Sequence, residues 1–334
     1  MYCNSCMQII GKSELIFCSQ CGVPLHKDCA NHCLECGKVL CDSCFAENDY
    51  KCEECYKPNN KFQKIRRSHL QQYDNCPYSL YLQLILGIEP PMGKAAQLGV
   101  IVHELIDLTT YEDTTLEEMQ NELEKRVKEW NEDENTDEEF SKIPQELLEV
   151  GKQCIDNFWE IKDVFPRTFD SEKNMVFSID KDLPKISCTA DRVIKNKDGI
   201  HIYDWKTGKP MSGKKLIEDL QPPLYIYAVY KEYGEMPKTF TLHYLRNNKI
   251  IVYEKVNDEN YRVCTSRNAY ILNIPSALER TKKILKGIQN NHFNMPDERT
   301  SKWRCENMCW FGKSGKCKTS FNESWSVLSN GERR

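Results

Sequence analysis

Within its first 55 residues the chain carries Cys3/Cys6, Cys18/Cys21, His26/Cys29, Cys33/Cys36, Cys41/Cys44 and Cys52/Cys55, six ligand pairs at knuckle spacing. Six pairs are enough for three tetrahedral metal sites. Few large apolar residues lie between them, so the segment cannot fold on a hydrophobic core alone, and metal binding must supply much of its folding free energy. Full cysteine and histidine coordination leaves no open position, which marks a structural zinc site. Eleven of the chain's 18 cysteines fall here. In a secreted protein that abundance would mean disulfides, but Cys-x2-Cys pairs in a reducing compartment mean metal. His32 is left over as a surface histidine.

The rest of the 334 residues can bury a sizeable core. The net charge of -4 supplies no global positive field, so affinity for a polyanion must come from a local groove. No run of 18 apolar residues occurs and the N-terminus lacks the regions of a signal peptide, so a soluble cytoplasmic protein with no membrane partner is expected. The expected division is a zinc-binding domain over residues 1–57, a second domain over 61–320 and a tail over 321–334.

Chemistry concentrates in the second domain. Ile186 to Ile194 and Ile200 to Trp205 are rich in β-branched and aromatic residues, and Asp198-Gly199 between them is a turn signal, so the stretch reads as a hairpin. Alternation puts Asp204 and Lys206 on one face. With Asp198 and Gly199 as the whole loop, Asp191 falls opposite Lys206 and diagonal to Asp204. Two carboxylates and an ammonium then converge, as a metal-dependent phosphodiester cleaver requires. On these three residues alone the patch reads equally well as an ion pair on a solvated strand face.

Upstream, residues 94–110 form an apolar helix carrying His103, by default a hydrogen-bonded core histidine. Residues 111–140 alternate charges around leucines at helical spacing and read as solvated helical surface. Residues 144–164 form an amphipathic helix with Cys154 in its core. Downstream, Gln221 starts a helix with prolines in its first turn and Tyr225 one turn later. Thr239 to Tyr244 and Lys249 to Lys255 are strands turning at Asn247-Asn248, and a last helix spans about 276–290. Cys305, Cys309 and Cys317 are three clustered ligands, one short of a closed site; Cys76, Cys154, Cys188 and Cys264 are the candidates for the fourth.

Taken together, Tyr73-Asp-Asn-Cys-Pro-Tyr, Gly99-x3-His103, Ala190-Asp191-Arg192, Asp204-Trp-Lys206-Thr-Gly, Gln221-x3-Tyr225 and the cysteine triplet resemble, in that order, the RecB-type nucleases of the PD-(D/E)xK superfamily. That family includes AddB-like and CRISPR-associated iron-sulfur exonucleases, and the resemblance covers residues 65 to 320. It implies an α/β (α+β) fold with a mixed sheet flanked by helices. It also implies that His103, Asp191 and Asp204 ligate a catalytic Mg2+ or Mn2+, with the Trp205 carbonyl as a further ligand. Lys206 would position or activate the attacking water, and Gln221 and Tyr225 would hold the DNA or the lysine. Cys76 would complete a 4Fe-4S site with Cys305, Cys309 and Cys317. The Cys-x3-Cys-x7-Cys spacing of the triplet is looser than the family's, which keeps zinc as the other candidate there. Glu172 lies where some superfamily members carry another acidic residue.

The N-terminal segment in turn resembles RING-like cross-braced fingers. That arrangement would give one zinc to Cys3, Cys6, His26 and Cys29, a second to Cys18, Cys21, Cys33 and Cys36, and a ribbon-like third to Cys41, Cys44, Cys52 and Cys55. The implied activity is a DNA exonuclease on single strands or duplex ends, serving recombination, repair or phage DNA processing beside a helicase or recombination protein. The alternative from another class is a non-catalytic DNA-end or protein-binding scaffold on a nuclease fold. A RING-type ubiquitin-ligase adaptor rests on the finger spacing alone.

Overall fold

A computed structural model of the chain describes residues 2–11, 13–33, 36–47, 52, 62–133, 136, 140–165, 170–265, 268–295 and 298–317. The expected tail, 321–334, and Cys55 lie outside the described residues. Chain packing separates two compact units, Met1–Gln63 with Gly287–His292, and Lys64–Lys286 with Phe293–Arg334. No helix among the described residues is long and apolar enough to cross a membrane.

The smaller unit repeats one turn three times. In the first, the Cys3 N–H donates to Gln8 O at 2.8 Å and the Met7 N–H to Cys3 O at 2.9 Å. The same pair of bonds recurs between Cys18, Val23 and Gly22, and between Cys33, Lys38 and Gly37. The fifth residue of each turn is left-handed, with φ 59° at Met7 and 74° at both Gly22 and Gly37. Glycine takes that conformation without a Cβ penalty, whereas Met7 adopts it at some cost. Two short antiparallel ladders, Leu15–Phe17 with Pro24–His26 and Asn31–His32 with Val39–Leu40, connect the turns. Among the described residues, the fully buried cluster is six cysteines with Ile10, Leu25 and Leu40, edged by partly buried residues such as Ile16, Val39 and Phe45.

The larger unit is built on an eight-stranded mixed sheet. From one edge its strands run Ala269–Asn273, Asn260–Cys264, Lys249–Lys255, Thr239–Tyr244, Gly199–Lys206 and Lys185–Asn196. Ser171–Phe177 and Lys64–Arg66 both pair with the last of these. Two pairings are parallel: Gly199–Lys206 with Thr239–Tyr244, and Lys64–Arg66 with Lys185–Asn196. The first of these needs a crossover, which the helix Gln221–Tyr233 supplies before ending at Gly234 with φ 75°.

Helices cover the sheet as the sequence leads one to expect. Lys94–Tyr111, Leu116–Glu132 and Gln145–Trp159 bury Leu98, Ile101, Val102, Leu105, Met119, Leu123, Cys154 and Phe158 in one cluster with Ile194 and Trp205 of the hairpin. Thr115 and Glu118 form a reciprocal capping box that fixes the start of the second of these. That helix, read from its charges as solvated surface, thus keeps a buried stripe. The strands Asn260–Cys264 and Ala269–Asn273 go beyond the elements expected from the sequence, although Tyr261 and Val263 alternate inward around Arg262.

Candidate active site

The site begins with a fork in the sheet. The strand Lys185–Asn196 pairs with Gly199–Lys206 from Asn196↔Gly199 to Arg192↔Tyr203, and no further. On the same side, Lys64–Arg66 takes up its other end at Lys185–Ser187. Between them the edge is open at Asp191. This register corrects the expected one: the two-residue loop is Lys197-Asp198, Gly199 already pairs, and Asp191 faces Asp204 rather than Lys206. The correction has a local cause, since the Asn196 side chain accepts from the Asp198 N–H at 2.9 Å and closes the turn one residue earlier. A shift of two in the pairing sum keeps every side chain on its face, so the convergence survives.

At the fork the Asp191 carboxylate takes the place of the missing ladder partner, accepting from the Trp205 N–H at 2.6 Å. Its Oδ2 also lies 3.4 Å from His103 Nδ1, which the helix Lys94–Tyr111 delivers. Gly99 lets that helix come close: a Cβ there would stand 3.3 Å from Thr207 Oγ1, beside the end of the strand. Asp204 is 1% exposed and holds two partners, Lys206 Nζ on one oxygen and the Gln221 side-chain amide, which donates to the other. Tyr225, one turn past Gln221, packs edge-on to Phe240 in the core. The Trp205 indole lies on the opposite face, against Phe158 and Phe165.

Glu172 joins the group by an unusual route. It stands opposite Asp191 in the ladder between Ser171–Phe177 and Lys185–Asn196, yet the pairing skips it, going from Ser171↔Arg192 to Lys173↔Ala190. Its φ is 47°, a left-handed conformation that glutamate rarely adopts. The result is that Glu172, His103 and Asp191 each present a ligand atom within 4.8 Å of the others. Asp204, held by Lys206 and Gln221, stands next to that trio and outside it. The sequence offered Glu172 only as a position where relatives carry an acid; no pattern in the residues could reveal the backbone turn that aims it.

Charge is unevenly shared in the cluster. Burial opposes the His103 imidazolium, but the Asp191 carboxylate outweighs it and raises its pKa to about 9. Burial likewise works against the Asp191 anion, and His103 more than compensates, holding its pKa below the ordinary carboxylate value. For Asp204 burial prevails over Lys206, lifting the pKa to about 6. Glu172 is pushed up to about 7 by burial and by the negative charge of Asp191. Three carboxylates and an imidazole, mutually repelling or proton-sharing, form a donor set suited to a hard divalent cation, whose charge would relieve the repulsion.

The cysteine ligands group differently from the cross-braced expectation. Cys3, Cys6, His26 and Cys29 do meet, but Cys18 and Cys21 meet Cys41 and Cys44, and Cys33 and Cys36 meet Cys52. The physical reason is the Ser19 N–H, which donates to Val39 O at 2.8 Å and lays the second knuckle beside the strand leading into Cys41. Cys21 and Cys41 sulfurs are 3.7 Å apart, and Cys36 and Cys52 sulfurs 3.6 Å. Four sulfurs at about 2.3 Å from one tetrahedral zinc would stand about 3.8 Å apart, so the spacing fits that ion. His32 stays exposed and outside all three groups.

The C-terminal set is looser. Cys76 ends the helix Arg67–Asn75 and precedes Pro77–Leu84, Cys305 lies in Glu298–Asn307, and Cys309 precedes Trp310–Lys313. Burial raises the Cys317 thiol to about 11, helped by the charges of Cys305, Cys309 and Cys76. Burial, with Cys309 and Cys305, raises Cys76 too. The four thiols therefore share a neighbourhood without forming a group within 4.8 Å among the described residues. Arg304 ties the region together, donating to Asn75 O at 2.9 Å.

Residues 67–313 match the family model of the PD-(D/E)XK nuclease superfamily. A solved structure described as "Crystal structure of SSO0001" is similar at 13% identity, over 75% of this chain and 84% of that chain, with a TM-score of 0.35. No curated protein matches.

Proposed function

Since the chain belongs to the PD-(D/E)XK nuclease superfamily, we propose that it is a Mg2+- or Mn2+-dependent DNA exonuclease of the RecB type, acting on single strands or duplex ends. The observation that carries the reading is the meeting of His103, Asp191, Asp204 and Lys206 at the open fork of the sheet. His103 and Asp191 would hold the cation, with Glu172 as a further ligand and Asp204 beside it. A bound Mg2+ or Mn2+ would polarise the scissile phosphate and lower the pKa of a water. Lys206 contributes a fixed positive charge against the phosphate as negative charge grows in the transition state. Gln221 holds the Asp204 carboxylate in one rotamer, and the Trp205 N–H does the same for Asp191, so the acids need not reorganise. Zinc in the N-terminal groups and a 4Fe-4S cluster on Cys76, Cys305, Cys309 and Cys317 belong to the same proposal as structural elements.

The test is degradation of end-labelled single- and double-stranded DNA with Mn2+ by anaerobically purified protein beside Asp204→Ala. The expected result is loss of at least about a hundredfold in rate in the variant, the scale of removing one electrostatic group from a transition state. Equal degradation by both proteins, or none by either on any substrate, would leave the scaffold reading in its place.

A further inference from the structure

On the other face of the sheet lies a cavity that the cluster of acids does not use. It has a volume of about 290 Å³ and opens between the ends of Lys94–Tyr111 and Gln145–Trp159, with Arg192 in its wall. Arg192 is 4% exposed, yet no carboxylate among the described residues forms an ion pair with it. Its guanidinium donates to Thr110 Oγ1 and lies over the Phe165 ring, 5.7 Å from the centroid. The Asp107 and Asp191 carboxylates act on it through space without pairing with it, so most of its five N–H donors remain for an anion in the cavity. Thr110, having accepted from Arg192, keeps its own hydroxyl proton to donate.

Two further groups face the same space. Lys162 stands 4.5 Å over the Trp159 ring, and Thr109 lies beside Thr110. Of the acids that line it, Asp163 is 90% exposed and paired to Lys162, and Glu112 is exposed. The cavity lies seven residues from His103 along one helix, so two turns and about 10 Å separate Thr110 from the cation cluster.

We propose that this cavity is a phosphate-binding site, with the Arg192 guanidinium and the Thr110 hydroxyl as its floor and Lys162 at its mouth. Planar guanidinium and hydroxyl donors match the oxygens of a phosphoryl group, as Arg does wherever phosphate is recognised. The volume admits a free phosphate, a mononucleotide or a terminal phosphate of a single strand, and no duplex. The site is independent of the nuclease reading, since it needs neither the acids nor a cation.

Calorimetric titration in EDTA tests it with three pairs of probes: inorganic phosphate against sulfate-free buffer, thymidine monophosphate against thymidine, and a 5′-phosphorylated thymidine tetramer against its 5′-hydroxyl form. Binding of the phosphate-bearing member of at least one pair is expected, and which pair responds identifies the source. Thr110→Val and Lys162→Ala should each weaken it roughly tenfold, one charge-assisted contact apiece, while Lys128→Ala, on an exposed helix face, leaves it unchanged. Circular dichroism verifies that each variant is folded, and Lys162, at the mouth, serves if Thr110→Val is not. No binding by any probe, binding by Thr110→Val and Lys162→Ala as tight as the wild type's, or loss in Lys128→Ala would overturn the assignment.

Discussion

His103 and Asp204 illustrate how partners divide labour among ionisable side chains at the fork. His103 faces Asp191 and so is raised to about 9, from an ordinary value of 6.5, despite burial. A group whose folded pKa is raised contributes stability fully present below about 6.5 and lost as the pH rises through about 9. In protein stripped of metal, the gap in Tm between the wild type and His103→Gln should therefore be widest near pH 6 and close by about pH 10. A gap that stays constant over that range would show that the imidazolium is not held by Asp191. Cation binding needs neutral imidazole, so Mn2+ affinity, followed by titration, should rise over the same interval. The shared face of Asp191, Asp204 and Lys206 was legible in strand alternation, whereas His103 read as a core histidine and joined them only through the family resemblance. Glu172 was not fully legible, because what brings it to the cluster is a φ of 47° at one residue.

At the scale of elements, the hairpin shows what alternation can and cannot give. Its strands and the faces of Asp191, Asp204 and Lys206 follow from a period of two, whereas the loop was set by the Asn196 side chain, which composition does not weigh. The short helix Trp310–Lys313 depends on a single glycine in a similar way. A Cβ on Gly312 would lie 2.1 Å from the Cys305 carbonyl oxygen and 2.8 Å from its carbon, both backbone atoms that cannot swing aside. Gly312→Ala should thus separate Cys305 from Cys309 and cost about 1–3 kcal/mol, the range for overpacking. A calorimetric scan measures the stability loss. Anaerobic spectra measure the second consequence, loss of the visible absorption of the proposed cluster. An unchanged Tm together with unchanged colour would show that the helix has room to slide.

The whole molecule comprises two units whose cores differ in kind. The larger buries Trp205, Phe158 and the aliphatic faces of three helices in an apolar core. The smaller surrounds its six buried cysteines with three buried aliphatics, so its folding should be conditional on metal. That much was readable from composition. The order of ligands was not, because Cys-x2-Cys pairs satisfy a cross-braced and an interleaved scheme equally, and only the bond from Ser19 to Val39 decides between them. Metal analysis should therefore return three zinc ions per chain, and Cys41→Ser should remove the ion shared with Cys18 and Cys21. A strong chelator should abolish the smaller unit's transition in a thermal scan while the larger unit, with its apolar core, still unfolds in a cooperative transition. Under the cross-braced scheme Cys41→Ser would instead release the ion of Cys52, and cadmium-113 substitution distinguishes the two: the interleaved arrangement predicts that the lost cadmium signal is the one coupled to the β-protons of Cys18.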